Sequence, residues 1–137
     1  MKKILSIVFV TVLCFSMMMP LYASSKNITP YYNNTASATA YFTIDSAGVA
    51  SATLSYAGYP DYATDATITC KIEKRILWWW SDVDGASWVD EVIGSSNVVQ
   101  HTFQLSKTGK YRLSFEMVIR GTAGDPDVIS DTIEKEY

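Results

Sequence analysis

The chain is short of the residues from which most active sites are built. Its 137 residues include one histidine, His101, and two cysteines, Cys14 and Cys70. A single histidine excludes a metal-binding histidine pair, and neither cysteine lies near His101 in sequence as a thiol–imidazole couple would. No G-x-S-x-G nucleophile turn occurs. Helical periodicity is missing beyond the N-terminus, and there is no internal repeat or low-complexity block, which excludes helical bundles and solenoids. A pair of carboxylates brought from distant segments, as in glycosidases, stays open.

The N-terminus carries a different signal. Lys2 and Lys3 precede an apolar run over 4–19, then Pro20 and the small residues Ala23, Ser24 and Ser25. A positive start, a short apolar core and a small-residue exit describe a secretory signal peptide. The run is shorter than the roughly 20 residues of a comfortable membrane span. Cys14 follows Leu13, where a lipoprotein signal wants a small residue, so it reads as part of the apolar run. The expectation is a signal peptide over 1–25 and a single domain over 26–137, hence a secreted, extracellular protein. The Asn27 and Asn33 sequons are discounted, because the signal has a bacterial look.

The domain then holds one thiol, Cys70. It has no internal disulfide and must be stabilised by its core. All 14 acids lie outside the signal, so removing Lys2 and Lys3 takes the formal net charge from −3 to −5. Such a chain gains nothing from counterion release on nucleic acid or on an anionic surface. No nucleic-acid partner is expected, no membrane after signal cleavage, and no cofactor; the protein is read as a monomer.

What is abundant is two-residue alternation. It runs through 36–44 (Ala36, Ala38, Ala40, Phe42 and Ile44 inward), 49–56, 66–77, 87–93, 98–105, 110–120 and 128–135. Turn chemistry separates these segments: Asp45-Ser46-Ala47-Gly48, the stretch 57–65, 81–85, Gly94-Ser95-Ser96-Asn97 and 121–127. The lead-in over 26–35 reads as irregular. The result is an all-β, seven- to eight-stranded antiparallel β-sandwich, the stretch 78–93 deciding the eighth strand.

One motif orients it. Leu105, Gly109 and Tyr111 have the spacing of a tyrosine corner, in which the phenol packs inward and its hydroxyl bonds backbone upstream. Leu113 stands where an immunoglobulin domain would have its second cysteine, so the pattern is fibronectin III/immunoglobulin-like and closer to the disulfide-free sandwiches. With that strand placed, the turn over 78–85 falls at the same end as the corner, and the loops over 57–65 and 121–127 fall at the opposite end.

The order Ile28-Thr29-Pro30, an Ala/Ser-rich first strand, Ile72-Glu73-Lys74, Trp88 and Thr108-Gly109-Lys110-Tyr111-Arg112 resembles small secreted proteins of Gram-positive bacteria that carry a domain of unknown function. The triple tryptophan and the acidic loops stand outside that pattern. The resemblance implies secretion and a sandwich, and it brings no catalytic residue.

Two groups of residues are candidates for contact. Trp78, Trp79 and Trp80, with Trp88, are of the type that stacks on sugars or anchors protein interfaces. Strand parity puts Trp78 and Trp80 inward and Trp79 outward. Either the cluster seals the bottom of the core, with Trp88 covering an edge, or Trp79 and Trp88 meet a ligand. Asp61, Asp65, Asp125 and Asp127, gathered at one end, offer hard oxygen ligands for calcium, although aspartate in turns more often bonds local backbone. His101 shares parity with Val99 and Phe103 and reads as structural. The reading is a non-catalytic secreted binding module for an unknown protein or glycan. A carbohydrate-binding module on one side, and a small enzyme or inert structural protein on the other, are the alternatives.

Overall fold

A computed structural model describes residues 24–28 and 32–137, of the former only the backbone. The expected signal peptide therefore lies outside the described residues, except that Ser24 and Ser25 begin the first strand. Eight strands follow in order: β1 (Ser24–Ile28), β2 (Thr35–Ile44), β3 (Val49–Gly58), β4 (Ala63–Ile76), β5 (Trp79–Ile93), β6 (Ser96–Gln104), β7 (Lys110–Gly121) and β8 (Asp127–Glu136). They form two antiparallel sheets, β1-β2-β3-β6 and β5-β4-β7-β8. The expected all-β sandwich is observed, and Cys70 is a free, buried thiol. The strand after β4 stays hydrogen-bonded to β4 instead of crossing to the other sheet.

The core follows the alternation. Ala38, Ala40 and Phe42 of β2 and Ala50, Ala52, Leu54 and Tyr56 of β3 face Ala66, Ile68, Cys70 and Ile72 of β4 and Leu113, Phe115, Met117 and Ile119 of β7. Each large aliphatic side chain buried this way is worth about 1.5–3 kcal/mol before entropy is counted. Small alanines on β2 and β3 and bulkier residues on β4 and β7 belong to one buried cluster between the sheets.

The tyrosine corner closes as expected. Tyr111 is buried, and its hydroxyl donates to the Lys107 carbonyl at 2.5 Å. Leu105 is buried beside it and its N–H donates to Gly48 O. Gly109, at φ +143°, exchanges both backbone hydrogen bonds with Tyr137, which ties the last residue to the corner.

Four local expectations are corrected. The lead-in is not wholly irregular: β1 pairs with the edge of β2, from Ser24 opposite Phe42 to Ile28 opposite Ala38. Its sequence, SSKNI, has no alternation to reveal a strand held by backbone pairing. A bulge at Thr35/Ser37 turns Thr35 inward and leaves Ala36 exposed. The loop over 57–65 shrinks to 59–62, because β3 and β4 extend into it. Finally, the turn expected over 78–85 is confined to its first residue, Trp78, with Leu77 before it. β5 is one continuous strand, and the Asp82-Val83-Asp84-Gly85 chemistry appears as a bulge in which 83–86 lie opposite Ile72. Gly85 adopts φ +77° there, and Ala86 is driven fully into the core.

Candidate functional site

The site is the apex of the β4–β5 hairpin. Ile76 pairs with Trp79, so only Leu77 and Trp78 make the turn. Two-residue hairpin turns match strand twist by placing one or both central residues at positive φ, which glycine, asparagine or aspartate normally provides. Here Leu77 takes φ +56°. A branched side chain in the left-handed region costs on the order of 1–2 kcal/mol. Its carbonyl accepts a hydrogen bond from Arg75 Nε at 3.2 Å, which holds the turn in place.

That turn reverses the parity expected for the tryptophans. Residues paired across a hairpin share a face. Trp79 therefore lies on the same side as Ile76, and Trp80 on the same side as Arg75, the outer face. The inward series on β4 also runs past the facing sheet, so Ile76 is uncovered instead of capping the core. The apex is apolar and in solvent: Leu77 is 71% exposed, Trp78 78%, Trp79 45% and Ile76 39%. None of the three consecutive tryptophans seals the core. Trp78 and Trp79 meet edge to face, with centroids 5.2 Å apart and planes at 77°.

Trp80 has another task. Arg112 of β7 lies 4.5 Å from its ring centroid and Arg75 lies 5.8 Å away on the strand beside it. Arg112 in turn donates through Nε to Glu73 Oε2 at 2.6 Å and through Nη2 to Oε1 at 3.2 Å. Lys71 Nζ lies 3.4 Å from Glu73 and 2.8 Å from Asp82. Glu73 alternates with the inward Ile72, yet these partners bury it to 5% exposure. Its hydrogen bonds with Arg112, more than the nearby charges, hold its carboxyl below the usual glutamate range. Next to the tip the hairpin stem is thus braced across three strands, while the tip itself is bare.

Below the tip, on the inner side, a groove of about 430 Å³ runs between β5 and the corner. Lys74, Ile76, Asp82, Phe103, Lys107 and Tyr111 are among its walls, and Lys74 Nζ stands 5.4 Å from the Tyr111 ring centroid. Trp88 is elsewhere. It pairs with Cys70 halfway along β5 and lies flat on the His101 ring, centroids 4.7 Å apart and planes 9° apart, with Phe103 against its edge. His101 Nε2 lies 2.6 Å from Asp90 Oδ2. This stack closes the side of the sandwich where β5 and β6 face each other, and Trp88 is separate from the apex. Cys70 is buried beneath it, and desolvation, with the Asp90 charge adding, pushes its thiol up to about 12.

The aspartates lie at the other end, away from the apex, as strand order had implied. They do not assemble a cation site: no group of three or more His, Cys, Asp or Glu suited to a metal exists among the described residues. Asp127 is buried and accepts from the backbone N–H of Asn33 and Asn34 and from Thr35 Oγ1, at 2.8–3.0 Å. Asp65 is not in a loop but on β4, where Thr64 Oγ1 donates to it and Arg120 Nε lies 2.5 Å away. Both partners lower its pKa, Thr64 most. Asp125 offers its backbone carbonyl to Asn34 Nδ2, and Asp61 sits in the 59–62 turn. Asp127 thus fastens the lead-in, and Asp65 ties the central strands β4 and β7 together.

Sequence reasoning had missed Ile76, Leu77, Arg75 and Arg112 as parts of the site. The apolar run from Ile76 through Trp80 was visible, but a turn of Leu and Trp has no glycine or asparagine to announce it. No protein-family model matches the chain, and neither curated proteins nor solved structures show a significant match to it.

Proposed function

We propose that this chain is a secreted, non-catalytic binding module whose contact surface is the β4–β5 apex. The observation carrying that reading is Trp78 at 78% exposure beside Leu77 at 71%, on a stem braced by Arg112, Glu73 and Trp80. Large apolar side chains grouped in water on a rigid support mark contact sites. A backbone held at positive φ to display them adds to the same reading. Secretion rests on the N-terminal pattern of Lys2, Lys3 and the 4–19 apolar run, in keeping with the likeness to small secreted Gram-positive proteins.

The remaining chemistry supports binding over catalysis. The single histidine is occupied by Asp90 and Trp88, and the single thiol of the domain is buried and protonated. A flat sugar platform wants coplanar rings, whereas Trp78 and Trp79 stand at 77°; the convex tip suits insertion into a partner better than stacking beneath a glycan. The test is co-sedimentation of the protein with isolated envelopes of the producing cell. Wild type is expected in the pellet, and the Trp78→Ala/Trp79→Ala variant in the supernatant. Equal sedimentation of the two would remove the apex from the reading.

A further inference from the structure

We infer that the apex inserts into the interfacial region of a lipid bilayer, with anionic headgroups held by the bases around it. The inference rests on the binding-module reading above and names its partner.

Area and shape come first. Taking aromatic side chains at about 150–250 Å² each, the four exposed apex residues present on the order of 400–500 Å². A specific protein interface needs roughly 800 Å² per partner with matched shape. A two-residue hairpin tip is convex and narrow, so it reaches that area only inside a cup built to fit. A bilayer needs no matching shape, because lipids close around whatever enters. The composition is also that of the interface: Leu77 is wholly apolar, while Trp78 and Trp79 each have an apolar body and one N–H donor, the combination enriched at headgroup depth.

Charge comes second. The formal net charge of the domain argues against an anionic surface, but the fold separates the charges. Lys74 and Arg75 flank the tip, Lys107 stands across the groove, and Lys110 and Arg112 follow behind on β7. Of the carboxylates at this end, Glu73 is paired with Arg112, Asp82 with Lys71 and Glu134 with Lys110. Asp45 accepts from Ala47 and Val49 N–H in the β2–β3 turn, Glu136 lies opposite Lys110, and Asp84 stands back on the bulge. Lys74, Arg75 and Lys107 are therefore the bases nearest the tip. At the far end Asp61, Asp65, Glu91, Asp125 and Asp127 gather, among the described residues, around one base, Arg120, itself tied to Asp65. An anionic surface therefore attracts the apex and repels the opposite end, which turns the molecule tip-first. The stem lets the tip enter without unfolding: Arg75 and Arg112 lie along Trp80, a level where guanidinium groups meet headgroups while Leu77 and Trp78 go deeper.

The experiment uses protein collected from the medium, its N-terminus read by mass spectrometry so that no apolar leader contributes. It is floated with phosphatidylcholine vesicles with and without phosphatidylglycerol. Wild type is expected to float with the anionic vesicles, with tryptophan emission shifted to the blue and quenched by bromine on the acyl chains. Leu77→Gly/Trp78→Ala, which also relieves the positive φ and leaves the core untouched, is expected to lower partitioning by roughly tenfold or more. Lys107→Gln, across the groove from the tip, is expected to weaken binding only when phosphatidylglycerol is present. Unfloated wild type whose binding to whole envelopes, or whose self-association in the ultracentrifuge, still depends on Trp78 would overturn the lipid inference and leave the binding module standing. Flotation that Leu77→Gly/Trp78→Ala does not change would overturn both.

Discussion

Glu73 and Arg112 face each other across β4 and β7, with Arg112 Nε 2.6 Å from Glu73 Oε2 and the Trp80 ring over the same guanidinium. A charged pair on the outside of a sheet is ordinarily worth little. This one is covered by a tryptophan and its carboxylate is almost fully buried, so losing one partner leaves the other charge stranded.

Glu73→Gln is therefore expected to cost about 2–3 kcal/mol at neutral pH. The folded state holds this carboxyl below its ordinary value of 4.5, so its contribution is present above that pH and is lost as pH falls through the lower folded value. Wild-type stability should decline below about pH 4.5, and the variant should lose less over the same range. Urea unfolding at a series of pH values measures both slopes; parallel acid limbs would show that Glu73 is not a source of the decline.

Cys70 is expected to behave as a hydrophobic residue. With its thiol at about 12 and its side chain beneath Trp88, it should resist alkylation at pH 8 in the folded protein and react at once in denaturant. Its folded pKa lies above the ordinary value of 9.0, so its contribution is complete below that pH and fades as pH rises toward 12. Iodoacetamide labelling followed by mass spectrometry reads the first point. Rapid labelling of folded protein at pH 8 would mean that the β5–β6 side opens.

Asp127 should prove structural. Its carboxylate accepts three hydrogen bonds that bring 33–35 onto the start of β8. Asp127→Ala leaves the buried Asn34 N–H and Thr35 hydroxyl without this partner and is expected to cost about 2–4 kcal/mol, with Asp127→Asn losing less because it keeps one acceptor oxygen. Calcium or chelator should leave the melting temperature of wild type where it was. A rise of several degrees with calcium would restore the aspartate end as a cation site.

How much of this was legible varies with the kind of interaction. Alternation from Val49 to Tyr56 and from Tyr111 to Ile119 named core residues correctly, because a sheet covered on one face imposes period two on its own sequence. Leu105, Gly109 and Tyr111 announced the corner for a similar reason: the motif is local, and a hydroxyl reaching four residues back needs only its own chain. With that strand oriented, the separation of the tryptophans from the aspartates followed from connectivity alone.

The bare tip was decided by tertiary structure. Whether Trp78 is core or surface depends on where the facing sheet stops, and whether Trp80 faces in or out depends on a turn two residues long. Neither distance is written in local pattern, and Leu77 at positive φ contradicts what its side chain prefers. The same holds for Glu73, whose burial comes from Arg112 on a strand 39 residues away. From sequence alone come the sandwich, its corner and the presence of an aromatic run, because these depend on period and on near neighbours. Packing between strands distant in the chain decided the rest: which aromatics are displayed, which carboxylates are neutralised, and which end of the molecule carries the bases.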